Sequence, residues 1–234
     1  LRRRPFDTAD DLLSDVTVHT DDRLTLSGRY RAPPREGAPI VILFHGNGDD
    51  IGVRAHIAHD LVAAGYSVFQ AEYRGYGGNP GTPHEAGLYL DARAAHAFVG
   101  RHARSIVLHG YSLGSGVATQ LALEARVDAL VLESPFISIV DVAAQRFPLF
   151  PVRSVARDGY DNLSKIAAVS APLPIYGGAN DRIVPPLHFA RLHDAARQPK
   201  QLALIQGADH TGVWTSGGDV HVLLFLGEVE NRCR

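Results

Sequence analysis

The chain has 234 residues, 45% of them hydrophobic and 21% charged, with 23 Lys+Arg against 25 Asp+Glu for a formal net charge of −2. Such a balance fits a globular core and excludes both a disordered chain and an electrostatic nucleic-acid binder. One cysteine, Cys233, excludes an intrachain disulfide and a cysteine-based zinc cluster.

Twelve histidines leave metal binding and proton chemistry open until their positions are weighed. The chain opens on Leu1 rather than Met, which is read as a cut end or a non-standard start. Leu1-Arg2-Arg3-Arg4-Pro5 lacks the apolar stretch of a signal peptide, and no run of 18 apolar residues follows. A soluble chain with an ordinary basic tail is expected, ahead of the remnant of a removed N-terminal membrane anchor. The compartment stays open, with a cytoplasmic one favoured.

Alternation at residues 16–18 and 24–30, around Asp21-Asp22, predicts an antiparallel hairpin. After the loop from Pro33 to Gly37, residues 39–44 form a continuous apolar run, as expected of a strand covered on both faces. Similar runs recur at 67–71, 105–109, 129–132, 173–176 and 202–205. Helical segments fall between and after them, at about 53–64, 84–99, 113–125, 186–196 and 218–230. Strands alternating with helices predict an α/β fold: a mostly parallel central sheet with helices on both faces. The alternation breaks once, so one domain over 1–234 is expected, with a short cap insertion at about 135–169. In such a sheet, chemistry belongs at the carboxyl ends of the strands.

At one of those ends stands Gly110-Tyr111-Ser112-Leu113-Gly114, between a predicted strand and a predicted helix. This is the G-x-S-x-G pattern in its strand–turn–helix context, where glycines two residues either side let the backbones crowd and Ser112 project its hydroxyl. Serine attacks only when a base takes its proton, so a carboxylate and a histidine must follow in that order. Asp181, after the strand at 173–176, and His210, after the strand at 202–205, meet that requirement. Glu133, at the end of the strand at 129–132, is the rival carboxylate; Asp209 is read as structural. An oxyanion hole needs two N–H donors. The backbone amide of Leu113 is expected to be one and that of Asn47, in His45-Gly46-Asn47-Gly48, the other. His45 is read as a brace for that loop and Arg74 as a structural loop arginine. His56 and His59 with Asp60 are read as a solvated helix face rather than a metal site.

Together with Tyr73-Arg74-Gly75-Tyr76-Gly77 and Glu133-Ser134-Pro135-Phe136, these motifs run in one order from Val16 to Val229 and resemble the serine hydrolases of the α/β-hydrolase superfamily. The nearest branch is that of small esterase-like proteins related to α/β-hydrolase-domain depalmitoylases and to prolyl-oligopeptidase-like catalytic domains. The resemblance implies the α/β-hydrolase fold and acyl transfer by Ser112, Asp181 and His210 through an acyl-enzyme, without metal or organic cofactor. It implies a small-molecule acyl ester as substrate and no nucleic-acid partner. Two departures stand out: Gly177-Gly178 replaces the branch's usual His-Gly, and Asp209 replaces a frequent Gly before the histidine.

Tyr73, Phe136, Phe147 and Phe150, with Leu149 and Tyr160, either line an apolar acyl pocket or pin the insertion to the core. The short insertion favours short- to medium-chain carboxylic esters over emulsified fat. Thioester cleavage or protein depalmitoylation is the nearest alternative, and a non-catalytic ligand receptor of the same fold is the other. A peptidase is disfavoured, because no gating domain accompanies the motifs.

Overall fold

The computed structural model describes residues 12–34, 38–103 and 105–233. The arginine-rich start, Gly37 and the side chain of Cys233 lie outside the described residues. The hairpin is β1 (Ser14–His19) and β2 (Thr25–Arg31), in register with Val18 opposite Leu26. There follow β3 (Ile40–Phe44), α1 (Ala55–Ala63), β4 (Ser67–Ala71), α2 (Glu85–Val99), β5 (Ile106–Tyr111), α3 (Leu113–Glu124) and β6 (Ala129–Glu133). Three short helices, α4 (Ile139–Arg146), α5 (Val152–Val155) and α6 (Asn162–Ile166), occupy the stretch where the alternation breaks. The chain closes with β7 (Leu173–Gly178), α7 (Pro186–Ala195), β8 (Lys200–Ile205), a 3-10 turn at Trp214–Ser216 and α8 (Gly218–Cys233).

The strands form an eight-stranded sheet in the order β1-β2-β4-β3-β5-β6-β7-β8. The hairpin pairs antiparallel to β4, and the remaining strands run parallel. The unbroken apolar runs reflect two cores. Ile40, Ile42 and Phe44 face one, with Leu88 of α2, Val117 of α3 and Phe189 of α7. Val41 and Leu43 face the other, with Leu61 of α1 and Phe225 and Leu226 of α8. Each fully buried side chain of this kind contributes about 1.5–3 kcal/mol.

The sheet edge departs from expectation. β8 starts at Lys200, two residues before its apolar run, because a strand bordered on one side only carries solvent-facing residues such as Gln201. At the carboxyl ends of β3, β5, β7 and β8 lie the loops that carry Asn47, Ser112, Asp181 and His210.

Candidate active site

Ser112 forms the turn between β5 and α3 with φ +49° and ψ −112°, a conformation that L side chains rarely adopt. The sequence makes room for it. A Cβ on Gly110 would lie 2.5 Å from the Gly114 carbonyl oxygen, and one on Gly114 would collide with the carbonyl of Phe44. The start of α3 therefore rests directly on the end of β3. The Ser112 N–H donates to the Glu133 carbonyl at 3.0 Å, tying the turn to β6. Strain of this kind costs about 1–3 kcal/mol and persists only where the surroundings hold it.

His210 Nε2 lies 3.1 Å from Ser112 Oγ, and His210 Nδ1 lies 2.7 Å from Asp181 Oδ2. The other Asp181 oxygen accepts the backbone N–H groups of Ile183 and Val184, each at 2.9 Å. Asp181 and His210 are both buried. Their loops abut: Asn180 N–H donates to the Ala208 carbonyl at 3.0 Å, and a Cβ on Gly178 would collide with the carbonyls of Ala208 and Asp209. The Tyr111 hydroxyl donates to the His210 carbonyl at 3.2 Å. The Gly177 departure has a physical reason, since the Phe189 ring occupies the space that a side chain there would need. The Asp209 departure has one too. Its Oδ1 accepts the N–H groups of Thr211 and Gly212, both at 3.0 Å, which shapes the histidine loop and holds the exposed carboxyl below its ordinary pKa.

Asn47 and Leu113 border one cavity of about 300 Å³, partly open to solvent. Neither backbone N–H finds an acceptor among the described residues. For Leu113 this is the ordinary state of a first helical residue. Tyr76 hydroxyl donates to Asn47 Oδ1 at 2.7 Å, and the loop behind is braced as well. His45 Nε2 meets Glu72 Oε1 at 2.8 Å, Glu72 Oε2 accepts Ile51 N–H at 3.1 Å, and Tyr73 hydroxyl donates to the His45 carbonyl at 3.1 Å. A second, more open hollow of about 800 Å³ is bordered by Asn180, Asp181, Arg182, Asp209 and His210.

Glu133 does not approach His210. Its Oε1 accepts from Arg54 Nη2 at 2.5 Å and its Oε2 from the Tyr176 hydroxyl at 2.9 Å, and that hydroxyl lies 2.7 Å from His109 Nε2. Burial drives the His109 pKa down to about 4 and pushes the Tyr176 phenol up. The Arg54 guanidinium lies 3.7 Å from the centroid of the Tyr111 ring. Sequence reasoning missed Arg54, and no pattern singles it out. Tyr111 could have been noticed as the residue before the serine.

The four residues expected in an acyl pocket do not line the cavity beside Ser112. Tyr73 and Phe136 are sealed in the core. Phe147 and Phe150 lie on the outer surface at 58% and 71% exposure, with Leu149 at 98%. Pro148 and Pro151 bracket Leu149 and Phe150 at the break between α4 and α5, where the run from 147 to 151 is exposed throughout. Tyr160 does border the cavity, with Leu88, Ile139, His84 and Asp158.

Arg74 is a structural residue: its guanidinium is shared between Asp91 at 2.9 Å and Asp22 at 2.7 and 3.1 Å. Asp60 accepts the Trp214 indole N–H at 2.8 Å. Among the described residues no three His, Cys, Asp or Glu side chains gather as a metal site, and no helix is long and apolar enough to cross a membrane.

Residues 35–158 match the family model described as serine aminopeptidase, S33. The chain is 40% identical over 201 residues to the uncharacterized protein Rv2307c of Mycobacterium tuberculosis, covering 84% of this chain and 72% of that protein. It is 32% identical over 186 residues to the protein bem46 of Schizosaccharomyces pombe, covering 73% and 61% respectively. Among solved structures it is similar to the Pyrococcus furiosus esterase Pf2001, with a TM-score of 0.76 at 19% identity over 94% of this chain and 90% of that one.

Proposed function

The chain belongs to the family described as serine aminopeptidase, S33, within the α/β-hydrolase superfamily, and from that premise we propose that it is a carboxylesterase-type serine hydrolase for short- to medium-chain acyl esters. One observation carries the reading: Ser112 Oγ, His210 Nε2 and Asp181 Oδ2 stand in a hydrogen-bonded line beside two unpaired backbone amides.

Asp181 accepts the Nδ1–H of His210, which leaves Nε2 as the base. His210 takes the proton as Ser112 Oγ bonds to the acyl carbon, and the carbonyl oxygen becomes an oxyanion held by the N–H groups of Asn47 and Leu113. The tetrahedral intermediate collapses when His210 returns the proton to the leaving oxygen and the alcohol departs. Water, deprotonated by His210, then attacks the acyl-enzyme, and the carboxylic acid leaves as Ser112 regains its proton.

The same roles divide the surroundings. His210 must reach the leaving oxygen, so the open hollow beside Asp181 and His210 receives the alcohol. The cavity bordered by Asn47 and Leu113 receives the acyl group. At about 300 Å³ it lies at the small end of the range of small-molecule sites, in keeping with a short acyl group.

A chain-length series of p-nitrophenyl and thioester substrates, with Ser112→Ala as blank, tests the reading. Hydrolysis of acetate to octanoate oxygen esters that vanishes in Ser112→Ala is expected. Turnover that survives that substitution, or thioester turnover alone, would overturn it.

A further inference from the structure

The acyl-side cavity has an apolar body, supplied by Leu88, Leu113 and Ile139, but three of its polar residues each keep a hydrogen-bonding atom that no described residue engages. The first is the hydroxyl of Tyr160. This residue is held at φ +41° and is 4% exposed. Its ring fits only because position 116 is glycine, where a Cβ would lie 2.8 Å from the ring, and it meets the ring of Tyr89 edge-on at 5.9 Å. So fixed, its hydroxyl has no hydrogen-bond partner among the described residues. It is also absent from the sealed polar atoms without a partner, which are those of Gln70, His96, Thr119, Ser134 and Asn162. The small exposed part of Tyr160 therefore includes its hydroxyl, and the space it opens into is the cavity.

The second group is His84. Its Nδ1 accepts the Gly87 N–H at 3.0 Å to cap α2, so the ring proton of the neutral imidazole resides on Nε2 as a donor. The third is Asp158, whose Oδ1 accepts the Glu85 N–H at 3.0 Å and whose other oxygen remains an acceptor. A plain hydrocarbon chain would displace water from these groups and satisfy none of them.

Resting on the esterase reading, we propose that this cavity selects an acyl group that carries a hydroxyl, which Tyr160 binds as donor or acceptor with His84 and Asp158 lining the same space. The charge on Asp158 works against an acyl group that carries a second carboxylate. Sites built to hydrogen-bond a hydroxyl discriminate strongly against the analogue lacking it; here the cavity is partly open to water, so a preference of about tenfold is expected.

The test compares kcat/KM for methyl butyrate, both enantiomers of methyl 3-hydroxybutyrate and monomethyl succinate, in the wild type and in Tyr160→Phe, which keeps the ring and its packing. Binding of the same esters to folded Ser112→Ala, followed by ligand-observed NMR, supplies a readout independent of turnover. One hydroxybutyrate enantiomer should be preferred over butyrate about tenfold in both measurements, and the ratio should fall toward one in Tyr160→Phe. Succinate should be the poorest. Equal kcat/KM and equal binding for butyrate and both hydroxybutyrates, or a preference that Tyr160→Phe leaves intact, would overturn the proposal while the esterase reading stands. Absence of turnover for all of them would sink the esterase reading, and the binding ratio would still decide this one.

Discussion

Arg54 donates to Glu133 at 2.5 Å while its guanidinium carbon lies over the Tyr111 ring, 3.7 Å from the centroid. Both partners of the ion pair are buried, beneath the tyrosine that precedes Ser112. Glu133 is thus spent on fixing the floor of the site, and the carboxylate facing His210 is that of Asp181.

The two acids therefore predict opposite phenotypes. Asp181→Asn should lower kcat by about 10⁴ with little loss of stability, because the histidine loses its orienting acceptor. Glu133→Gln should instead destabilise by about 3–5 kcal/mol, by leaving Arg54 buried without its counter-charge. Its kcat should stay within about tenfold of the wild type, since its side chain reaches the site only through Arg54 and the Tyr111 ring, and its backbone bond to Ser112 is unchanged. Urea unfolding and steady-state kinetics on both variants check this. A collapse of kcat in Glu133→Gln with Asp181→Asn still active would reverse the assignment.

Much of this was legible in the sequence because each feature has a local cause. Gly110 and Gly114 are required by backbone crowding, and the order of Ser112, Asp181 and His210 follows from strand ends that the apolar runs mark out. The aromatics were not legible in the same way. Whether Phe136, Phe147, Phe150 or Tyr160 faces a cavity, the core or solvent depends on how three short helices pack between β6 and β7. A side chain there carries no periodic signal of its direction. Phe136 is fixed instead by a distant residue, Asn162, whose amide donates to the Phe136 carbonyl at 3.0 Å. Arg54 was invisible for a similar reason, since its partner lies 79 residues away.

Arg74 ties the loop after β4 to the hairpin and to α2 through Asp22 and Asp91. Its guanidinium holds the Asp22 carboxyl down to about 2, whereas burial pushes Asp91 up against the pull of the same arginine. Arg74→Met should cost about 3–5 kcal/mol, chiefly by stranding Asp91, and Asp22→Asn much less because the Asp22 side chain is 40% exposed to solvent, against 3% for Asp91. Chemical denaturation of the two variants at neutral pH gives the comparison.

His109 makes stability depend on pH. Its pKa is about 4 in the folded chain, lowered by burial, and near 6.5 when unfolded. Its contribution is complete above pH 6.5 and is lost as pH falls toward 4, because the unfolded chain binds the proton first. The slope from this group is on the order of 1.4 kcal/mol per pH unit across that window. His56 and His188, also lowered by burial, add to it in the same direction. Denaturant midpoints from pH 7 to pH 4 should fall less steeply in His109→Gln than in the wild type; identical slopes would remove His109 from the account.

The Tyr76 to Asn47 hydrogen bond steadies one of the two proposed oxyanion donors without contributing a donor itself. Tyr76→Phe should lower kcat, but by less than the roughly 10²–10³ that follows loss of a donor. Steady-state kinetics on a p-nitrophenyl ester will show whether kcat moves in this range; an unchanged kcat would show that the loop holds Asn47 unaided.

Everything proposed for this site depends on Ser112 being an activated nucleophile. Intact-mass analysis after incubation with a fluorophosphonate, followed by peptide mapping, tests it most directly. One phosphonyl adduct per chain is expected, on Ser112, absent from Ser112→Ala and strongly slowed in His210→Ala. A folded wild-type chain that takes up no adduct, or one labelled equally in Ser112→Ala, would contradict it.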